Sequence, residues 1–259
     1  MTKKSSQDIK KLNIQQFNNG KGIVRTEIPE ADYIKEYFGD DIYPSQLVLD
    51  CACGTGAVLM SLDCKRIGLD ISMLNIKDKK YLKNRINFVA GDAENLPFKN
   101  KSIDAVILAA ALHHFPNYEK NIKEVGRILK NGAKVYILEA NSIGLLPVAI
   151  PLWPLNVIRK IRGTYPEYEI HAGRISIIKV IRLLKANHFT IHKIFRENTF
   201  VGVYTELLIK HIPGFKRLKW IILFFRRINQ ILTKCLPVIF ISYYRLSAIK
   251  NEILPNSNS

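Results

Sequence analysis

The chain reads as an α/β protein built on an open, doubly wound sheet, and three observations lead there. The apolar run Leu47-Val48-Leu49 meets an acid, Asp50, and then a turn of small residues, Cys51-Ala52-Cys53-Gly54-Thr55-Gly56. A second run, Arg66-Ile67-Gly68-Leu69, also ends in an acid, Asp70, 20 residues after Asp50. Two further runs, Ile86–Val89 and Ile103–Leu108, lead into Gly91-Asp92 and Ala109-Ala110-Ala111. Short apolar strands ending in acids or small-residue turns are what a parallel sheet with a ligand at its carboxyl edge requires.

The elements follow in chain order. Residues 1–45 form a polar N-terminal cap, helical in part near Glu30–Phe38, and Pro44-Ser45 precede the first strand. Glycines after that strand let backbone N–H groups approach a ligand at a helix start. The dinucleotide fingerprint G-x-G-x-x-G is absent, because only Gly54 and Gly56 are in place, so the loop alone is a weak signal. The link from Gly56 to Asp70 is short and predicts a trimmed first helix. A helix is expected over Tyr118–Leu129, capped at Lys130-Asn131-Gly132, with a fifth strand over Lys134–Glu139. A stretch without charge, 140–158, contains Pro147, Pro151 and Pro154 and reads as a hydrophobic lid or interfacial insert, since its prolines oppose a membrane-spanning helix. A helix over Arg174–Asn187 is followed by strands at Thr190–Arg196 and within Thr199–Ile209. The division expected is 1–45 cap, 46–210 catalytic domain and 211–259 C-terminal extension.

The series LDCACGTG, GLDIS, GDAENLPFKNKSIDAVILAAALHHF and RILKNGAKVYILEAN resembles the class I S-adenosylmethionine-dependent methyltransferases. Within them it is most similar to the quinone, lipid and small-molecule type known as Methyltransf_11. The resemblance covers Leu47 to Asn141, and GDAENLPF is its most specific piece. It implies a Rossmann-like, seven-stranded, mostly parallel sheet with helices on both faces, closed by an antiparallel strand near the end of the domain. Ala52 departs from the pattern, standing where many members have the first glycine of the loop.

The resemblance also implies roles. Asp50, Cys51, Ala52, Gly54, Thr55 and Gly56 would hold the methionine part of S-adenosyl-L-methionine. Asp70 would accept from the ribose hydroxyls, and Ile71 would pack on the adenine. Asp92 would accept from the adenine amino group, Ala93 would offer its backbone N–H to the ring, and Ala109 would line the floor near the sulfonium. Taken singly, Asp50 also reads as a helix cap and Asp70 as a strand-end turn residue. His113 and His114, directly after the fourth strand, are the candidate general bases for an acceptor that must lose a proton. His171 is a weaker candidate, since a lone His is often only a surface or core residue.

Charge separates two parts of the chain. The net charge is +17, but residues before Arg159 hold 21 Lys/Arg against 17 Asp/Glu, whereas Arg159 to Ser259 hold 18 against 5. An acidic partner is therefore expected at the C-terminal part. The run Lys216-Arg217-Leu218-Lys219-Trp220-Ile221-Ile222-Leu223-Phe224-Phe225-Arg226-Arg227 combines cations with bulky apolar residues, as a basic amphipathic helix at a membrane surface does. A helix packed on the sheet or on a second copy of the chain has the same pattern. Lys234 and Pro237 interrupt the apolar run and oppose a true span. The four cysteines show no disulfide or metal-binding spacing, and no apolar leader opens the chain, so a reduced, cytoplasmic protein without a metal is expected, peripheral on the inner face of the membrane.

These readings predict methyl transfer to a small hydrophobic, lipid or lipid-linked acceptor. Two alternatives stay open. The basic composition would suit an RNA methyltransferase, although Ala110-Ala111-Leu112-His113-His114 stands where amino-group nucleic-acid methylases carry an Asn/Asp-Pro-Pro-aromatic tetrad, and nucleic acid is not the expected partner. A non-catalytic binding subunit on the same fold is the other, because fold alone does not fix function.

Overall fold

A computed structural model describes residues 7, 10–11, 35–36, 38–72, 86–143, 175–199, 201–203, 205, 208 and 217–252. Most of the N-terminal cap, the charge-free insert beyond residue 143, and His171 lie outside these residues.

Seven strands form one sheet in the order β3-β2-β1-β4-β5-β7-β6. They are β1 Leu47–Cys51, β2 Lys65–Asp70, β3 Ile86–Ala90, β4 Ile103–Ala109, β5 Leu129–Ala140, β6 Phe189–Asn198 and β7 Tyr243–Lys250. The pairs β1–β2, β2–β3, β1–β4 and β4–β5 are all parallel, so the carboxyl ends of these strands share one edge. The order runs outward from β1 through β2 to β3, then restarts at β4 on the other side of β1. That reversal makes the β1/β4 boundary the topological switch point, where such sheets leave a crevice. Val48, Leu49, Ala105, Val106, Ile107, Leu108, Val135 and Ile137 are buried, as central parallel strands covered on both faces must be.

The helices include α1 Ala57–Met60, α2 Tyr118–Ile128, α3 Ile177–Ala186 and α4 Lys219–Cys235. The single turn of α1 agrees with the short link between Gly56 and Asp70. Helix α2 starts at Asn117, whose side chain accepts from the Lys120 N–H at 3.1 Å. It buries Ile122, Val125 and Ile128 at helical spacing.

The chain divides into two compact units: 1–138 with 182–193 and 246–259, and 139–181 with 194–245. In the first, Phe38 packs on Tyr136 with ring centroids 4.8 Å apart, and Asp41 pairs with Lys134 and Lys193. In the second, Asn141 is fully buried and donates to the carbonyls of Ile239 and Ile241 at 2.7 and 2.8 Å.

Three expectations change. Gly132 does not cap α2: the helix ends at Ile128, and Leu129 is already extended. Gly132 instead sits at φ +77° inside β5, where the pairing skips from Ile103–Leu129 to Ala105–Lys134. A glycine with positive φ serves a bulge as well as a cap, and sequence spacing does not separate the two. Next, residues 201–203, 205 and 208 are helical rather than strand. Finally, residues 211–259 are not wholly an extension, because β7 lies between β5 and β6 in the sheet. Its Tyr244, Leu246 and Ala248 are fully buried, so the last strand belongs to the core.

Candidate functional site

The site begins with the loop after β1. Cys53 N–H donates to the Leu69 carbonyl at 3.0 Å, which clips the loop to β2, and Gly56 N–H closes the turn onto the Cys53 carbonyl at 2.8 Å. Gly54 and Gly56 have φ of +53° and +80°, where an L side chain is strained. A Cβ at Gly56 would also meet Phe88 Cζ at 3.0 Å, so this position needs glycine twice over. A Cβ at Gly54 would meet nothing within 4 Å among the described residues. Ala52 adopts φ +60° and Ala110, after β4, φ +50°. Non-glycine residues held in this region mark positions that the surrounding structure over-determines, commonly at functional sites.

Asp70 ties the strand ends together. Its Oδ2 accepts from the Gly54 N–H at 2.9 Å, its Oδ1 from the Ser72 N–H at 2.8 Å, and its carbonyl from the Gly91 N–H at 2.9 Å. One residue thereby fixes the turns after β1, β2 and β3. Asp50 is also buried, and burial together with the nearby Asp70 charge holds its carboxyl well above the usual carboxylate range. Thr55 Oγ1 is buried and has no hydrogen-bond partner among the described residues. A buried hydroxyl of that kind calls for an outside partner.

The segment after β3 is the other wall. Burial pushes the Asp92 carboxyl up, but hydrogen bonds from the Lys10 amine, the Glu94 N–H and the Asn95 amide bring it below the usual range. Helix α2 holds this wall in place. Asn121 donates to the Ala93 carbonyl at 2.8 Å, Glu124 accepts from the Leu96 N–H at 2.9 Å, and Arg127 donates to the carbonyls of Leu96 and Phe98, each at 2.8 Å. Glu94 is buried, accepts from the Asn117 N–H at 2.7 Å and pairs with Lys10 at 2.7 Å.

His113 and His114 lie in a short 3-10 turn, Leu112–His114, just past β4, with ring centroids 4.0 Å apart. Ala109 is the last residue of β4 and pairs with Leu138. The parallel sheet thus brings Asp50, Asp70, Asp92, Ala109 and the two histidines to one edge. Ile71 follows β2 half-exposed, and Ala93 is buried. Cys51 belongs to the site by its backbone only: its side chain is fully buried, and burial and the Asp50 charge push its thiol up, away from the reactive thiolate. Lys10 was not legible as a site residue, because 82 positions separate it from Asp92 and no motif surrounds it.

Residues 49–137 match the family model described as a methyltransferase domain. Over this segment the chain is similar to methyltransferase domains. A demethylmenaquinone methyltransferase of Porphyromonas gingivalis is 37% identical over 117 residues, covering 40% of this chain and 46% of the relative. The phthiotriol/phenolphthiotriol dimycocerosates methyltransferase of Mycobacterium leprae is 28% identical over 181 residues, 64% of each chain. The crystal structure of geranyl diphosphate C-methyltransferase from Streptomyces coelicolor, in complex with Mg2+, geranyl diphosphate and S-adenosylhomocysteine, is similar with a TM-score of 0.55 at 15% identity. That similarity covers 85% of this chain and 78% of that one. The chain spans about half the length of the first curated relatives, 46% and 50%. The matched part carries Asp50, Asp70, Asp92 and both histidines. S-adenosyl-L-methionine is the methyl donor whose demethylated product the geranyl diphosphate enzyme binds, and the Gly54 backbone, the Thr55 hydroxyl with no partner among the described residues and the buried acids fit that cationic, hydroxyl-bearing molecule.

Proposed function

We propose that the protein transfers a methyl group from S-adenosyl-L-methionine to a small hydrophobic, lipid or lipid-linked acceptor. The observation that carries this reading is the buried pair Asp50 and Asp70 beside the Gly54–Gly56 turn at the switch point of the sheet. Methyl-transfer activity is supported by the domain match and by relatives named as quinone and phthiotriol methyltransferases.

When bound, the cofactor supplies an electrophilic methyl group. Asp50 and the loop N–H groups would hold its charged amino-acid end, with Thr55 donating its unpaired hydroxyl. Asp70 would accept from the ribose while keeping the Gly54 N–H, since a carboxylate oxygen takes two donors. Ile71 and Ala93 would bracket the adenine, and Asp92 would accept from its amino group. Small Ala109 would leave room for the reacting atoms. His113 and His114 would take the acceptor proton where the methylated atom is a hydroxyl oxygen or an acidic carbon. Alignment and exclusion of water supply most of the catalysis, of order 7–11 kcal/mol for well-oriented reactants.

An apolar acceptor partitions into a bilayer, so we place the reaction at the inner face of the membrane, with the enzyme cytoplasmic and peripheral. Among the described residues no helix is long and apolar enough to cross a membrane.

The test is to supply methyl-labelled cofactor to cell extracts with and without the protein and to analyse lipid and polar fractions by mass spectrometry. Label that appears in the lipid fraction only with intact protein supports the proposal. Label confined to RNA would replace it with the nucleic-acid reading, and no label together with no cofactor binding by calorimetry would leave a non-catalytic subunit.

A further inference from the structure

Helix α4 has two unlike sides. Its inner side is tied down: Asn229 Oδ1 accepts from the Thr199 N–H at 3.0 Å and from its hydroxyl at 2.7 Å, and Ile222 is buried. Its C-terminal end is held by Arg196, which donates to the carbonyls of Lys234 and Leu236 at 3.2 and 3.0 Å. The outer side carries Trp220, Leu223, Phe224 and Ile231, exposed by 72, 59, 58 and 61%. These positions follow one another at i, i+3, i+4 and i+11, which places them along a single stripe. A soluble surface seldom spends four bulky apolar residues in one row without a use.

The charge around the stripe selects the occupant. Along α4, from Lys219 to Cys235, the chain has no Asp or Glu and four Lys or Arg. Arg227 and Lys234 share the exposed side of the helix, and Lys219 and Arg226 border it. A second copy of this chain would bring cations against cations. An anionic bilayer meets both demands at once, since apolar residues enter the acyl boundary while Lys and Arg reach the headgroup phosphates.

We infer that the outer face of α4, centred on Trp220 and Phe224 and bordered by Arg226 and Arg227, is a docking surface for anionic lipid bilayers. It deepens the membrane placement of the proposed function by naming the face and the lipid charge, and it does not depend on the methyl-transfer reading.

The experiment uses the full chain with vesicles of phosphatidylcholine alone or mixed with phosphatidylglycerol. A Trp153→Phe background leaves Trp220 as the one tryptophan of the chain. Binding should require phosphatidylglycerol, shift Trp220 emission to the blue, and weaken as salt rises from about 0.1 M to about 1 M, where the Debye length falls from ~10 Å to ~3 Å. Replacing Leu223, Phe224 and Ile231 by Ser should lower vesicle affinity at least about tenfold. Arg226→Gln with Arg227→Gln should lower it by about tenfold and flatten the salt dependence. Scanning calorimetry controls for folding, because these variants change only exposed side chains of α4. A loss of vesicle binding with Tm retained supports the inference. Equal vesicle binding by the serine variant overturns it. So does a dimer, measured by light scattering, that the serine variant dissolves while the parent ignores vesicles.

Discussion

The edge of the sheet and the outer face of α4 use charge in opposite ways. At the sheet edge, Asp50 and Asp70 are buried together, and burial with the Asp70 charge holds the Asp50 carboxyl well above the usual carboxylate range. On α4 the exposed cations Arg227 and Lys234 stand on the same side as exposed Trp220 and Phe224, where a surface charge costs little. The first region is specific because Asp70 and Asp92 each hold named donors at fixed distances. The second depends on area and summed charge, so no single side chain decides it. Substitutions at the edge should therefore act one residue at a time, and substitutions on α4 only in groups.

The largest effect is expected from Asp70→Ala. It removes the acceptor of the Gly54 and Ser72 N–H groups, each charge-assisted bond being worth about 1.5–3 kcal/mol. Calorimetry should show cofactor affinity reduced at least about 100-fold. Vesicle binding should be unchanged, and a parallel loss there would mean that the two regions are not independent.

Arg127→Ala comes next. It takes donors from the Leu96 and Phe98 carbonyls and frees the wall after β3, at a cost of about 1–3 kcal/mol. In a chain of this size that lowers Tm by roughly 2–4 °C per kcal/mol, measured by calorimetric scanning.

Asp50→Asn should separate stability from binding. The folded carboxyl titrates above its unfolded value, so the native state holds the extra proton. Stability of the ligand-free protein then falls as pH rises from the ordinary carboxylate range toward the raised folded value. The amide removes that loss, so the variant should melt higher than the parent at neutral pH and show a flatter Tm-against-pH curve, while binding the cofactor more weakly.

Ala52→Gly should be a gain. An L residue at φ +60° costs about 1–2 kcal/mol, offset by about 0.5–1 kcal/mol of added chain entropy for glycine. A Tm rise of roughly 1–4 °C is expected. The smallest effect belongs to Lys10→Ala. The amine occupies Asp92 Oδ2, so its removal should tighten cofactor binding no more than about fivefold, in keeping with a partly exposed pair.

Much of this edge was legible beforehand because it is local. Asp50 with its glycines, Asp70 and Asp92 each sit at the end of an apolar run, and a parallel sheet sends successive runs to the same edge. What escaped was non-local. Glu124 and Arg127 form an i, i+3 pair on α2, yet both also hold the loop at 96–98, which no motif in the sequence marks. Gly132 looked like a cap because a glycine after a helix usually is one, and only the register of β4 against β5 shows the bulge. The run Tyr243–Lys250 carries Arg245 and Lys250, which disguised a buried strand as part of a basic tail.

By itself, the sequence determined the parallel strands, the acids at their ends, the trimmed first helix and the uneven charge, because each depends on neighbours a few residues apart. Only the tertiary structure decided that the chain returns to insert β7 between β5 and β6, that Lys10 lies on Asp92, and which side of α4 faces water. Those outcomes depend on partners tens of residues away, chosen by the apolar surface and hydrogen-bonding groups left open once the local elements have formed.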